Sequence, residues 1–181
     1  NGFLADDATP TCASSAIGDR AIRQRAIEIA RETPISLRNS MRHFDIQGRL
    51  EADCRELATL LQGSEPALEE AFRRSYLHSA GPGHDVPAGY VTALLTRLAR
   101  LDDQRWADEM RDTAHRLYLA DQTLVPYVVA ATGVVDAATQ VLADRLAGDL
   151  PRYRRLTSAF HRFSLIEVDV MTDAIHAVRA Q

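Results

Sequence analysis

The sequence predicts an all-α fold, and three observations carry that prediction. Gly and Pro cluster at a few places only, so long uninterrupted segments lie between them. Within those segments apolar residues recur at intervals of three and four, as in Leu50, Cys54, Leu57 and Leu61. Alternation of apolar and polar residues with a period of two is absent. Because 46% of the 181 residues are hydrophobic and 25% are charged, the chain can build one core of ordinary size.

The helices follow from their start and stop signals. A first helix over 18–32 opens near Asp19, ends before Pro34 and is predicted to form an arm within residues 1–41. The main domain, residues 42–181, begins with antiparallel helices at 48–62 and 66–79, the second capped by Ser64. After a Gly/Pro loop come a helix at 88–101 and one capped by Asp102 or Asp103. That helix carries Trp106, a predicted packing anchor, with Met110 and His115. Two long helices at 122–147 and 150–179 close the chain.

The final helix has apolar residues on two faces. One stripe consists of Phe160, Phe163, Ile166, Val170, Ala174 and Val178. Another face carries Leu165, Val168, Met171 and Ile175. A helix that is apolar nearly all round is buried on all sides, and in a small domain a twin subunit supplies the second cover. The pattern predicts a homodimer through the last two helices; a central core helix in a monomer is the alternative. Glu167 and Asp169, set among these residues, are expected to face solvent or to pair with Arg across the interface.

Composition and missing motifs exclude several functions. The net charge is −4 and all 21 basic residues are Arg, which disfavours a nucleic-acid surface and leaves no lysine for Schiff-base chemistry. No nucleophile elbow, zinc-protease motif or glycine-rich phosphate loop occurs, so we expect no enzyme. Two unpaired cysteines and the lack of a signal or membrane segment predict a cytoplasmic protein. Since the chain begins without Met and ends uncapped, we expect it to be part of a longer protein.

Three stretches carry a resemblance to a known family. RHFDIQGRLEADCRELATLLQGSEPALEEAFRRSYLHSA resembles an opening pair of helices, the second of which bears the aromatic pair Phe72 and Tyr76. RLARLDDQRWADEMRDTAHRLYLADQTLVPYVV resembles a distal helix, a short helix with a ligand histidine and the entry to the penultimate helix. HRFSLIEVDVMTDAI is similar to a closing helix with an Asp, here Asp169. Together they resemble the globin-coupled sensor family over residues 42–179.

The resemblance implies a globin-like fold that binds haem b. His115 would be the metal ligand, leaving the opposite side of the iron open to O₂, CO or NO. Tyr76 would donate a hydrogen bond to bound O₂. The remaining residues expected to contact the haem are Phe72, Leu94, Leu95, Leu98, Tyr118 and Tyr127.

The function expected first is therefore a haem-based gas sensor domain. It would bind O₂ reversibly and signal through its dimeric helical bundle to a C-terminal output domain outside this chain. The alternative is a haem-free sensor globin that acts as a protein-interaction module in stress signalling. A helical enzyme or fatty-ligand carrier ranks third, because no convergent pair of titratable residues is recognisable.

Overall fold

The computed structural model describes residues 13–31, 37–45 and 47–180, and in these ranges the chain is all-α, as predicted. A short helix that the sequence analysis did not predict, α2, crosses the expected boundary between arm and main domain. The described helices are α1 (Ala13–Arg31), α2 (Leu37–Phe44), α3 (Leu50–Leu61), α4 (Glu65–Ala80), α5 (Tyr90–Ala99), α6 (Gln104–Leu119), α7 (Val125–Arg145) and α8 (Leu150–Arg179).

Two helices begin at capping aspartates. The Asp103 side chain accepts a hydrogen bond from the backbone N–H of Arg105 at the start of α6, as one of the two predicted caps. Asp149 accepts in the same way from the N–H of Arg152 at the start of α8. The predicted cap Ser64 precedes α4 but makes no capping bond. Its Oγ instead accepts from Arg145 Nη2 at 2.9 Å, which ties the α3–α4 turn to the end of α7.

The last helix, α8, is the centre of the fold and packs against α1, α2, α3, α6 and α7. Its first predicted stripe is confirmed, because all six of those residues are buried. Trp106 is the packing anchor that was predicted: its ring centroid lies 6.2 Å from that of Phe163, and its Nε1–H donates to the Leu101 carbonyl at 3.0 Å.

The second apolar face of α8 is partly covered by the chain's own core. Met171 is buried within this chain, against the expectation that a partner covers it. The reason is its position one turn after the buried Glu167, at the edge of the inward face. Leu165 is 52% exposed and Val168 is half-buried, whereas Ile175 is half-buried against the main core, so the apolar strip that remains on the outside of α8 is centred on Leu165.

Helix α1, the described part of the predicted arm, lies on the main domain. Ile27 and Ala30 form a small second core with Val178 of α8. Arg23 donates to the Asp121 carboxylate at 2.8 Å and lies 5.6 Å from the Tyr118 ring centroid. The arm thus contacts α6, the loop after it and α8.

Two helices pass so close that only glycine fits between them. A Cβ added to Gly133 of α7 would lie 2.8 Å from Ser75 Cβ and 3.3 Å from the Ala71 carbonyl oxygen of α4. Among the described residues α7 is also the one helix long and apolar enough to cross a membrane by length and composition. A buried core helix meets the same criterion, and α7 packs along α4.

Cys54 is the free cysteine of the described ranges. It is fully buried on α3, and burial, with the neighbouring Asp53, raises the pKa of its thiol to about 12. Cys12 lies outside the described residues.

Candidate functional site

A cleft separates α5 from α6 and holds the candidate site. It consists of two adjoining cavities of about 310 and 340 Å³, and both are lined by Ala93 and Arg97 of α5 and by Glu109 of α6. The first cavity extends to the loop before α5 and to Tyr127 of α7, whereas the second is bounded by Trp106 and by the charged residues at the α5–α6 turn.

A buried ion pair forms the floor of the cleft. Arg97 is 4% exposed, and its Nε donates to Glu167 Oε1 of α8 at 2.7 Å. Arg97 Nη2 lies 2.6 Å from the same oxygen and completes the ion pair. The other oxygen of Glu167 accepts from the Tyr90 hydroxyl at 3.3 Å. Both charges are thereby neutralised locally, as burial requires.

A cluster of four aromatic rings includes Tyr90, the hydrogen-bond partner of Glu167. Phe72 of α4 stacks on Tyr90 with centroids 4.3 Å apart, and it lies 6.1 Å from Tyr76 and 6.0 Å from Tyr127. Tyr90 and Tyr127 meet edge to face at 5.5 Å. The Tyr127 hydroxyl donates to the Met110 sulfur at 3.8 Å. Of these rings, Tyr90 and Tyr127 line the inner cavity of the cleft.

Burial controls protonation in this cluster. It raises the pKa of Glu167, although Arg97 and the Tyr90 hydrogen bond oppose the shift. It also raises the pKa of Tyr90 and of Tyr127 well above the ordinary phenol value, and the Glu167 carboxylate adds to both shifts. Both phenols therefore stay protonated at neutral pH and can act as hydrogen-bond donors.

The structure brings together three of the residues that were expected to contact haem. Phe72, Tyr76 and Tyr127 share the aromatic cluster. Leu94 and Leu98 of α5 are buried in the main core and Leu95 is half-buried against it, but none of them lines the described cavities. Tyr118 lies apart, at the contact between α6 and α1.

His115 is buried, with 2% of its surface exposed, but it is not part of the cleft. The cleft is lined on α6 by Glu109, Asp112, Thr113 and Arg116. At 3.6 residues per turn, His115 lies about 110° around the helix from the centre of that set.

A haem held by His115 between α5 and α6 does not fit these residues. The imidazole is on another side of α6, and the space between the two helices is bordered by the charged side chains of Arg97, Glu109 and Arg116. Pockets for large apolar cofactors are lined mostly by hydrophobic side chains with a few polar groups. Among the described residues no group of three or more His, Cys, Asp or Glu is placed to hold a metal ion.

The sequence analysis missed three residues of this site. Tyr90 and Arg97 were not singled out, and Glu167 was expected at a solvent or dimer surface, which is wrong: it is 3% exposed and pairs with Arg97 of the same chain. A signal was present, because Glu167 lies four residues after Phe163 and three before Val170, inside the buried stripe.

Comparison with known proteins identifies no family for this chain. No protein-family model, curated protein or solved structure matches the chain.

Proposed function

We propose that this chain is a haem-free signalling domain of the sensor-globin type, without enzymatic activity, that works as a protein-interaction module. The observation that supports this most is the Arg97–Glu167 ion pair, which lies between the helices where the resemblance would place haem. A buried ion pair with a tyrosine partner is costly to disrupt once formed, because either charge left alone is desolvated without compensation. The cleft floor is thus already occupied by the chain's own side chains.

The interaction surface is the outer strip of α8, and its proposed occupant is a second copy of this chain. Leu165 is 52% exposed, and Val168, Thr172 and Ile175 follow it on the same side at intervals of three and four. Removing large apolar side chains from water contributes roughly 1.5–3 kcal/mol for each one fully buried. A strip of this kind on a helix that ends the domain suits helix-to-helix pairing.

The charges on α8 select the direction of pairing. Arg162 and His161 precede Leu165, whereas Asp169 and Asp173 follow it, and neither aspartate has an ion-pair partner among the described residues. If two α8 helices cross antiparallel with Leu165 at the two-fold axis, Arg162 and His161 of one copy approach Asp169 of the other. A parallel crossing would bring like charges together. An antiparallel, isologous pair is therefore the one whose charges match.

The dimer test uses two leucines that differ mainly in position. Leu165 and Leu150 are both on α8 and are 52% and 53% exposed, but Leu150 lies at the first turn, away from the strip. We expect Leu165→Glu to shift the sedimenting species from dimer to monomer at about 10 μM protein, a concentration at which micromolar dimers persist. Leu150→Glu should leave the dimer intact. A wild-type monomer at this concentration, or equal effects of both substitutions, would refute the surface.

Charge exchange tests the orientation separately. Asp169→Arg should weaken the dimer, because it faces Arg162 of the other copy, and adding Arg162→Asp should restore affinity. If the double variant dimerises no better than the single one, the antiparallel arrangement is wrong.

The haem-based gas sensor for O₂, CO or NO is the second candidate, favoured by the burial of His115 on α6. It requires α6 to turn so that the imidazole reaches the cleft, with Tyr76 as donor to the gas. Titration of the purified protein with haemin separates the two functions. A stoichiometric Soret band that shifts with CO and is lost in His115→Ala would establish the gas sensor; the haem-free proposal expects no stoichiometric haem in wild type.

A further inference from the structure

Helix α1 covers a surface at the ends of α6 and α8 and has a small core of its own there. Ile27 and Ala30 are buried with Val178 of α8, and the half-buried Tyr118 and Leu119 of α6 pack against them. None of these five residues belongs to the main core. Helix α1 can therefore separate from the domain without opening that core.

One arginine attaches α1 to the end of α6. Arg23 Nη1 donates to the Asp121 carboxylate at 2.8 Å and to the Tyr118 carbonyl oxygen at 3.3 Å. Asp121 has a φ of 57° and follows α6 at the left-handed position where glycine is usual. An aspartate at this strained position places its carboxylate at the helix end, where it receives the guanidinium of Arg23.

The arm is held weakly. Ile22 and Ile29 of α1 are 69% and 43% exposed, so α1 buries Ile27 but leaves two of its other large apolar side chains in water. The Asp121 side chain is 83% exposed, and exposed ion pairs contribute little to binding and are screened by salt. A helix that buries more apolar surface at the same place would replace α1.

The surface also extends beyond the residues that α1 covers. An adjoining cavity of about 320 Å³ shares Tyr118 and Asp121 with the arm contact and continues to Ile175 and Arg179 of α8. Residues 20–30 of α1 do not line it. A ligand larger than the arm can bury apolar side chains in this cavity and place a carboxylate near Arg179.

We propose that the ends of α6 and α8 form a docking surface for an amphipathic helix of another protein, and that α1 is the autoinhibitory helix that covers it. The bound arm shows which helix fits, because Arg23, Ile27 and Ala30 follow one another at intervals of four and three. The partner helix repeats this pattern, with its arginine on Asp121. A second copy of the chain would only exchange identical contacts, whereas a larger helix gains the adjoining cavity.

The proposal goes beyond the proposed function and does not require dimerisation. Its probe is a fluorescein-labelled peptide of residues 13–31, added to the full chain and followed by fluorescence anisotropy. In the wild type the tethered arm competes with the peptide at a high effective concentration. Ile27→Asp releases the arm and leaves the surface unchanged, so the peptide should bind about tenfold more tightly, as expected for an arm docked in about nine molecules of ten. Ile22→Asp, on the exposed side of the same helix, is the matched control and should bind the peptide as the wild type does.

A double-mutant cycle locates the peptide on the surface. Adding Asp121→Asn to the Ile27→Asp chain removes the charge but keeps a residue that tolerates the left-handed conformation. This change should weaken peptide binding about threefold. A peptide with Arg23→Gln should bind both chains equally, because the ion pair is absent in each case.

Three results would overturn the proposal: no saturable binding to the Ile27→Asp chain, equal binding to that chain and the wild type, or binding that does not respond to Asp121→Asn. Sedimentation in a Leu165→Glu background separates this outcome from that of the dimer proposal. If Leu165→Glu still associates and Ile27→Asp then abolishes the association, the occupant is a second copy and not another protein.

Discussion

Two boundaries between helices in this domain are built in opposite ways. Between α4 and α7 the backbones approach until Gly133 faces Ser75, with no room for an added Cβ. Between α5 and α6 cavities remain, and their floor is an ion pair that reaches across to α8. The first pair is fixed by close packing, which depends on shape alone. At the second, α5 is joined to α8 by charge and hydrogen bonding, and other polar groups can satisfy such contacts.

This difference distinguishes a rigid contact, α4–α7, from a cleft that can bind another molecule, α5–α6. A contact that tolerates no added atom cannot accommodate a ligand, whereas a cleft with a polar floor can exchange one set of partners for another. Binding should therefore act at α5–α6, while α4–α7 keeps the same geometry in every state. Substitutions in the two pairs test this division.

The largest effect is expected at the floor of the cleft. Arg97→Leu leaves Glu167 as a buried, unpaired charge, and breaking such a pair costs about 3–5 kcal/mol of unfolding free energy. Urea denaturation monitored by far-UV circular dichroism measures the loss. Arg97→Leu/Glu167→Gln removes both charges while Gln still accepts from Tyr90, so most of the stability should return. If the double variant is as unstable as the single one, packing and not charge holds the cleft.

The same variant should show a pH dependence of known sign. The folded-state pKa of Glu167 is already raised above 4.5 by burial, and losing Arg97 raises it further. A carboxyl with a raised folded pKa contributes its stability at low pH and loses it as pH rises through that pKa. Arg97→Leu should thus lie closer to wild type near pH 4.5 than at about pH 8, whereas the double variant should show no such trend.

A smaller effect is expected between α4 and α7. In most helix interiors Gly→Ala is stabilising by roughly 0.5–1 kcal/mol, but Gly133→Ala forces the two helices apart, and overpacking costs about 1–3 kcal/mol. Thermal unfolding should show a lower midpoint. Adding Ser75→Gly removes the opposing Cβ and should recover part of the loss. A stabilised single variant would show that α4 and α7 can separate without cost.

The smallest effect is expected at the first turn of α6. Asp103→Ala removes the cap and should lower the thermal midpoint less than Arg97→Leu or Gly133→Ala does, since the side chain is near the surface. The Arg105 side chain and backbone N–H lower the pKa of Asp103 to about 2. Its contribution is therefore present above pH 3.8 and is lost as pH falls towards 2. Asp103→Asn, which keeps the acceptor, should retain more stability than Asp103→Ala.

Sequence periodicity predicted most of the fold because each long helix has its own boundary signals. The final helix was predicted at 150–179, the bounds observed for α8, because its apolar stripe is continuous; in the structure Asp149 caps its start. Helix α2 was missed because eight residues give barely two turns of periodicity.

The candidate site was harder to predict, since it depends on pairs far apart in the chain. Arg97 and Glu167 are separated by 70 residues, and no local pattern on α5 reveals which charge on α8 is turned inward. The aromatic residues were easier to predict, because the resemblance selected Phe72 and Tyr76. Both belong to the aromatic cluster beside the cleft. Tyr90 was missed because it follows a Gly/Pro loop and opens its helix, where an aromatic residue has no periodic neighbours before it.

The buried thiol of Cys54 offers a way to time the motions of this core. Only a thiolate attacks alkylating reagents, and with a pKa of about 12 and no exposed surface Cys54 cannot react in the closed molecule. In a Cys12→Ser background, each modification event then records one opening of α3. The labelling half-life would report how often the domain exposes its interior, long before any global unfolding is detectable.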